Sequence, residues 1–260
     1  MLRLLAAALF SCGFLTTWSA SAKGLSESDG YLERAFVLPE GTLRIDAAPS
    51  DYGYMDFGAL NNLRGLRVWA QPGPEVVYMG LGAGLGIAKN WEVGLLALPV
   101  FMAPSGDFGN LDVYGRYQFF DGDFQLGAQL AMLIPTNEQF GVGIGLPALF
   151  PVGDSARIDS GIEIEMLTGP TRFSLNVPLA VAFGVGDQFF IGPRTGFRVD
   201  EFEDLVLPLG VFLGTTAGKV VDLSGAITFR RFLSTAPFDD AVNVDWVEVT
   251  FGATMFLDAF

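Results

Sequence analysis

From Arg157 to Phe183 the chain alternates apolar and polar positions through two runs joined by Thr168-Gly169-Pro170-Thr171. In the first, Ile158, Ser160, Ile162, Ile164 and Met166 alternate with Arg157, Asp159, Gly161, Glu163 and Glu165. In the second, Phe173, Leu175, Val177, Leu179, Val181 and Phe183 alternate with Arg172, Ser174, Asn176, Pro178, Ala180 and Ala182. A period of two sends alternate side chains to opposite faces of a strand. Two such runs around a short turn predict a hairpin whose strands are about eleven residues long. Tilted transmembrane strands need roughly 9–11 residues, whereas soluble strands cluster at about 5–6.

The same rhythm runs through most of the chain. Hairpins are predicted from Val76–Ala88 with Glu92–Met102, Leu111–Phe120 with Phe124–Ile134, and Phe140–Pro151 with Arg157–Leu167. Arg172–Phe183 pairs with Gln188–Val199, and Leu205–Thr215 with Val221–Phe232. Gly41–Ala48 opens the series and Val242–Leu257 closes it, giving twelve strands; Asn62–Ala70 is a further short candidate. One set of connections is tight and rich in Gly, Asn and Asp, residues that tolerate positive φ or cap the backbone. The other set is longer and includes Pro49–Glu75, Ala103–Asn110, Asp200–Asp204 and Leu233–Ala241. Short turns on one side, longer loops on the other and an even strand count are the pattern of bacterial membrane barrels.

The beginning of the chain reads as a secretory leader. Arg3 precedes the apolar run Leu4–Leu15 and the small-residue site Ala20-Ser21-Ala22, which predicts a cleaved signal peptide over residues 1–22. A lipoprotein reading around Cys12 fits less well, because Phe10 and the continuing apolar run depart from it. Cys12 is the only cysteine, so a chain cleaved after Ala22 has none and no disulfide framework. Residues 23–40 are expected to form a periplasmic N-terminal segment, and 41–260 the barrel, with a long outer loop at 49–75.

Composition separates the remaining alternatives. Half of the residues are hydrophobic, yet the net charge is −14. That acidity disfavours nucleic acid as a partner. Beyond the leader no apolar run reaches the roughly 18 residues of a membrane helix. A soluble β-sandwich would turn the same apolar faces inward. Strand length, the leader and strand-end aromatics such as Phe119, Phe150, Phe183 and Phe189 favour lipid. The predicted fold is all-β: a transmembrane antiparallel up-and-down β-barrel of about twelve strands after a cleaved signal peptide.

In that barrel the predicted pore-lining residues are Asp112, Arg116, Gln118, Gln125, Gln129, Asp159, Glu163, Glu165, Arg172, Asn176, Arg194, Arg198, Asp222, Arg230 and Glu248. Facing charges of both signs set a transverse field that orients polar solutes. The same charges would alternatively fill a narrow barrel with ion pairs. Apolar inward positions (Leu96, Leu98, Val100, Leu133, Leu149, Phe190, Val206 and Phe212) suggest a hydrophobic compartment as the competing use. Mid-strand Pro147, Pro178, Pro193 and Pro208 predict local breaks in the ladders. Gly80, Gly82, Gly84 and Gly86, spaced by two, lie on one strand face and leave space there, so they do not make a phosphate loop. The acidic run Asp200–Asp204 reads as a solvated loop rather than a Ca²⁺ site.

The chain resembles the small outer-membrane β-barrel proteins of Gram-negative bacteria. Gly252, Met255 and Leu257 resemble that family's C-terminal Gly-x-x-apolar-x-apolar signal, and Phe260 supplies its terminal aromatic, although Asp258 departs from the pattern. The resemblance implies an outer-membrane location. Its implied partners are outer-membrane lipid and lipopolysaccharide, the barrel-assembly machinery through the last strand, and small solutes. The enzymes of this class (phospholipase, omptin-like protease, lipid A deacylase, palmitoyltransferase) resemble one another in carrying a functional histidine, and this sequence has none. Glu163 and Glu165 as a catalytic pair read better as lumen carboxylates. The expectation is therefore a passive channel for small polar or charged solutes, without catalytic residues, metal or cofactor. A transporter of hydrophobic compounds and a side-chain-filled structural barrel are the alternatives.

Overall fold

A computed structural model of the chain describes residues 30–47, 66–70, 77–103, 111–135, 140–168, 172–218, 220–235, 242 and 247–259. The leader, most of the expected outer loop and Phe260 lie outside the described residues. Thirteen strands form one antiparallel sheet: β1 (Thr42–Ala47), β2 (Leu66–Ala70), β3 (Val77–Ala88), β4 (Trp91–Ala103), β5 (Leu111–Asp121), β6 (Gln125–Ile134) and β7 (Gly141–Val152). They continue with β8 (Ala156–Leu167), β9 (Arg172–Val185), β10 (Phe189–Asp200), β11 (Asp204–Ala217), β12 (Val221–Ser234) and β13 (Val247–Asp258). From β2 to β13 each strand pairs with its neighbour in sequence, and the ends meet, which closes the barrel.

Closure uses a composite strand. Both β1 and β2 pair with β13 on one side and β3 on the other. Ala47 faces Ala253 and Leu81, while Leu66 faces Phe251 and Met79. The two short strands are thus collinear, separated only by the level of Gly80 and Gly252. Together they fill one position, so thirteen strands make a wall of twelve. The expected connection over 49–75 is therefore interrupted: Leu66–Ala70 belongs to the wall, and residues 48–65 lie outside the described residues.

The walls follow the period of two. On β8, Ile162, Ile164 and Met166 are exposed, while Arg157, Asp159, Glu163 and Glu165 are buried. The outer belt includes Leu130, Ile144, Leu146, Val211, Leu213 and Phe251, all at least 49% exposed. Such a surface suits hydrocarbon, and closure leaves no sheet edge for lipid to meet. At the tight-turn end, Trp91 lies tilted against Tyr117 at 4.6 Å, and Phe124 lies between Phe120 and Phe150 at 4.5 and 5.4 Å. These amphipathic and aromatic rings form the interfacial girdle expected there.

One local expectation changes, and another is met at Pro208. Asp200–Asp204 is not a long loop: Asp200 pairs with Asp204, and Glu201 and Phe202 take φ of 53° and 61° to turn the chain between them. Phe202 stacks on Phe173 at 4.7 Å, which holds this unusual non-glycine turn. At the prolines, the β11–β12 register shifts between Leu207 and Leu209, on either side of Pro208. The Thr195 hydroxyl donates to the Pro208 carbonyl at 2.8 Å, and the Ser160 hydroxyl to that of Pro178 at 2.9 Å. Side chains thus engage carbonyls beside the positions where prolines remove a ladder donor.

Candidate functional site

The main departure from the sequence reading is inside the barrel. Residues 30–40, part of the segment 23–40 expected as a periplasmic lead-in, cross the interior with Gly41 as a strap and are largely buried there. The strap opens with a 3-10 turn, Tyr31–Glu33, and lies at the tight-turn end, the periplasmic end of a bacterial barrel.

Its first anchor is aromatic. Tyr31 stacks on Phe190 with centroids 3.9 Å apart and meets Phe212 at 6.5 Å, above Ala180, Ala182 and Ala226. Phe36 and Val37 pack against Leu149. Phe190, Phe212 and Leu149 thus seat the strap instead of lining an apolar compartment. Leu133 and Val206 are also buried, while the side chains of Leu96, Leu98 and Val100 lie outside the description.

Buried ions form the second anchor. The Arg34 guanidinium donates to both Asp222 oxygens at 3.2 Å and covers the Phe256 ring at 4.1 Å. Asp222 also accepts from the Thr216 hydroxyl at 2.8 Å. Arg157 donates to both Asp159 oxygens at 2.8 and 2.7 Å, and its Nη1 reaches the carbonyls of Tyr31 and Arg34. Arg116 reaches the Phe36 carbonyl at 3.1 Å and Gln129 at 2.8 Å. Gln125 accepts from the Phe36 N–H at 2.8 Å. The Leu38 N–H donates to Glu92 at 3.0 Å, and Glu92 also holds Arg44 and accepts from Tyr114. Asp46 pairs with Arg44 at 3.0 Å and accepts from Thr254. The strap's backbone groups thus find partners that a buried non-sheet segment requires.

Glycine makes the track wide enough. A Cβ at Gly86 would run into the carbonyl of Pro39, and one at Gly127 into the Phe36 ring. The small-residue face of β3 therefore leaves its space for backbone.

Among the expected lining residues, Asp112, Arg116, Gln118, Gln129, Asp159, Glu163, Glu165, Arg194 and Asp222 are buried on inner faces. Gln125, Asn176 and Arg198 are half-buried. Arg172, Arg230 and Glu248 lie on β9, β12 and β13, with side chains outside the description. The set divides. Arg116, Gln125, Asp159 and Asp222 hold the strap or the arginines that grip it. Glu163, Asn176 and Arg198 share one row further along the strands, and Arg198 contacts Ser174 at 3.3 Å. Sequence reasoning missed Tyr31, Arg34, Phe36, Arg44, Asp46 and Glu92. The only hint was the space opened by the glycine stripe.

The Tyr31 phenol, which stands in the strap, is pushed well above its ordinary value chiefly by burial, with Asp159 adding to the effect. It is a neutral donor under all ordinary conditions.

No family model matches the chain, and no curated protein matches it in sequence. Solved structures do match in fold. The NanC porin aligns with a TM-score of 0.57 at 8% identity, over 73% of this chain and 98% of that one. The KdgM porin, in a complex with disordered oligogalacturonate, gives 0.54 at 11% identity, over 82% and 98%. An outer-membrane channel from Pseudomonas putida F1 gives 0.53 at 10% identity, over 89% and 100%. Its closed twelve-position wall and apolar belt thus give the chain the β-barrel fold of these outer-membrane porins.

Proposed function

We propose that the protein is a passive, non-enzymatic channel for small polar or charged solutes, narrowed at its tight-turn mouth by the strap. The observation that carries this reading is the inner wall: Asp112, Glu163, Glu165, Arg194 and Arg198 bring both signs of charge to the inner face of an apolar-walled barrel. Charges on an inner wall orient polar solutes and select among ions. The fold shared with the NanC and KdgM porins supports a channel, and KdgM's oligogalacturonate complex places a polar solute with one such relative. The hydrophobic-compound alternative loses Phe190, Phe212 and Leu149, which Tyr31, Phe36 and Val37 cover. In this reading, outer-membrane lipid and lipopolysaccharide surround the belt, and the barrel-assembly machinery reads β13.

The test is ion conductance of the purified protein in planar bilayers. Wild type is expected to conduct, and Arg194→Glu and Arg198→Glu to shift selectivity toward cations. A folded barrel that conducts no ions sinks the reading.

A further inference from the structure

We propose that Pro147, Gly161, Pro178, Gly196 and Pro208 form a flexure line across β7 to β11, about which the long-loop ends of whole hairpins bend and change the width of the lumen. The line rests on the wall alone, and its effect on solute flow rests on the channel reading.

Register brings the five residues to one level. Pro147 faces Gly161, and Gly196 faces Pro178. Ser160 faces Leu179, which sets Gly161 level with Pro178; Thr195 faces Leu209, which sets Gly196 level with Pro208. Proline and glycine thus alternate over five adjacent strands, on the inner face. One neighbouring row carries Asp159, Ala180, Arg194 and Gly210, and the other Glu163, Asn176, Arg198 and Val206.

Ladders open along this level. The β6–β7 ladder is interrupted between the pairs Leu126/Ala148 and Gln129/Gly145, and the β8–β9 ladder between Ser160/Leu179 and Glu163/Asn176. The β10–β11 ladder is interrupted between Thr195/Leu209 and Arg198/Val206. In contrast, β7 and β8 pair without a break from Gly141 to Val152 of β7, and β9 and β10 from Arg194 to Asp200 of β10. The interruptions therefore fall between hairpins, and the continuous pairing falls within them. A hairpin joined to itself by a closed ladder and to its neighbours by an open one can shift as a unit.

Proline contributes no ladder donor and in sheets keeps to edges. A closed barrel has no edge, so three prolines at one level break the same rule together, and such departures concentrate at functional sites. Their cost is offset in the same way twice. The Ser160 hydroxyl, before Gly161, donates to the Pro178 carbonyl at 2.9 Å, and the Thr195 hydroxyl, before Gly196, donates to the Pro208 carbonyl at 2.8 Å. Within a bilayer those carbonyls need a donor. A rotating hydroxyl supplies it without fixing one backbone to the other as an N–H would. Glycine is required opposite proline: a Cβ on Gly161 would stand 3.0 Å from the Pro147 Cα, and one on Gly196 3.0 Å from the Pro178 Cα.

On the long-loop side of the line stand Glu163, Asn176 and Arg198. Arg198 of β10 reaches Ser174 of β9 at 3.3 Å, a contact inside one hairpin. Bending of that hairpin carries its charged row as a block toward or away from the opposite wall.

Amide hydrogen exchange of the protein in lipid nanodiscs, read by NMR, tests the line. Gly161, Ile162, Val177, Gly196 and Phe197 are expected to exchange about tenfold or more faster than Arg157, Ile158 and Asp159, which lie in continuous ladder nearer the tight turns. Pro178→Val with Pro208→Val returns two ladder donors and should slow that band by a similar factor. In planar bilayers wild type is expected to flicker between conductance levels and the double variant to hold one. Heat-modifiable gel migration verifies folding, and Pro208→Ala alone substitutes if the double variant does not fold. Uniform protection along β8 to β10 in wild type, or an unslowed band in the folded variant, overturns the flexure line. Unchanged flicker in a variant whose band has slowed overturns its link to lumen width. Exchange needs no transport, so a fast band in a protein that conducts no ions would sink the channel reading and leave the flexure line standing.

Discussion

Arg34 and Asp222, 188 residues apart in sequence, meet in a two-bond fork at 3.2 Å inside the barrel. The pair joins the strap to the first residues of β12, and both side chains are under 5% exposed. Losing one partner of a buried pair costs about 3–5 kcal/mol, because the other ion remains without compensation.

Arg34→Ala should therefore undock the strap while leaving the wall closed. The expected readouts are protease cleavage within residues 30–41 and raised conductance, with heat-modifiable migration unchanged. The exchange Arg34→Asp with Asp222→Arg should recover part of the protection. Equal protease resistance in wild type and Arg34→Ala would show that the pair does not hold the strap.

Gly86→Leu should have a similar effect by contact alone. Its side chain would occupy the space of the Pro39 carbonyl. The strap, not the β3 ladder, is expected to move, so cleavage within 30–41 should rise. Failure of the whole barrel to fold would contradict that division.

High pH offers a third route. The folded-state value of the Tyr31 phenol is raised, chiefly by burial. Its contribution to docking is therefore complete below the ordinary phenol value of about 10 and falls as pH rises beyond it. The loss grows by about 1.4 kcal/mol per pH unit until the folded value is reached. Cleavage of the strap should increase above pH 10 in wild type, and Tyr31→Phe, which keeps the ring stack, should flatten that dependence.

On the outer wall, Leu146 and Ile162 face each other across β7 and β8, 49% and 51% exposed. Leu146→Arg should destabilise the folded barrel by about 2–4 kcal/mol, the midplane cost of a cation facing lipid. Urea unfolding in lipid vesicles measures it. A loss near zero would place this face away from hydrocarbon.

The wall was legible because its code is local. Arg157 to Met166 alternates residue by residue, and Lys89-Asn90 or Gly153-Asp154 announces each turn, so strand ends fell within a few residues of prediction. The strap was not legible, because Tyr31, Arg34, Phe36 and Leu38 carry no period. Their partners are 54 to 188 residues away. The second half of the split strand, Leu66–Ala70, lay within the short candidate Asn62–Ala70, but alternation could not show that it shares one wall position with Thr42–Ala47. The charges buried on inner faces include Asp112, Arg116, Asp159, Glu163, Glu165, Arg194 and Asp222, but alternation assigns a face and not a partner. It therefore did not separate Asp159 and Asp222, which serve the strap, from Glu163 and Arg198, which stand beyond it.

The most direct test of a strap-narrowed channel is single-channel conductance in planar bilayers, comparing wild type with a variant whose residues 30–38 are replaced by glycine and serine. The account predicts that both fold and conduct, with conductance several-fold higher in the variant. Equal conductance, or none in either folded protein, would contradict it.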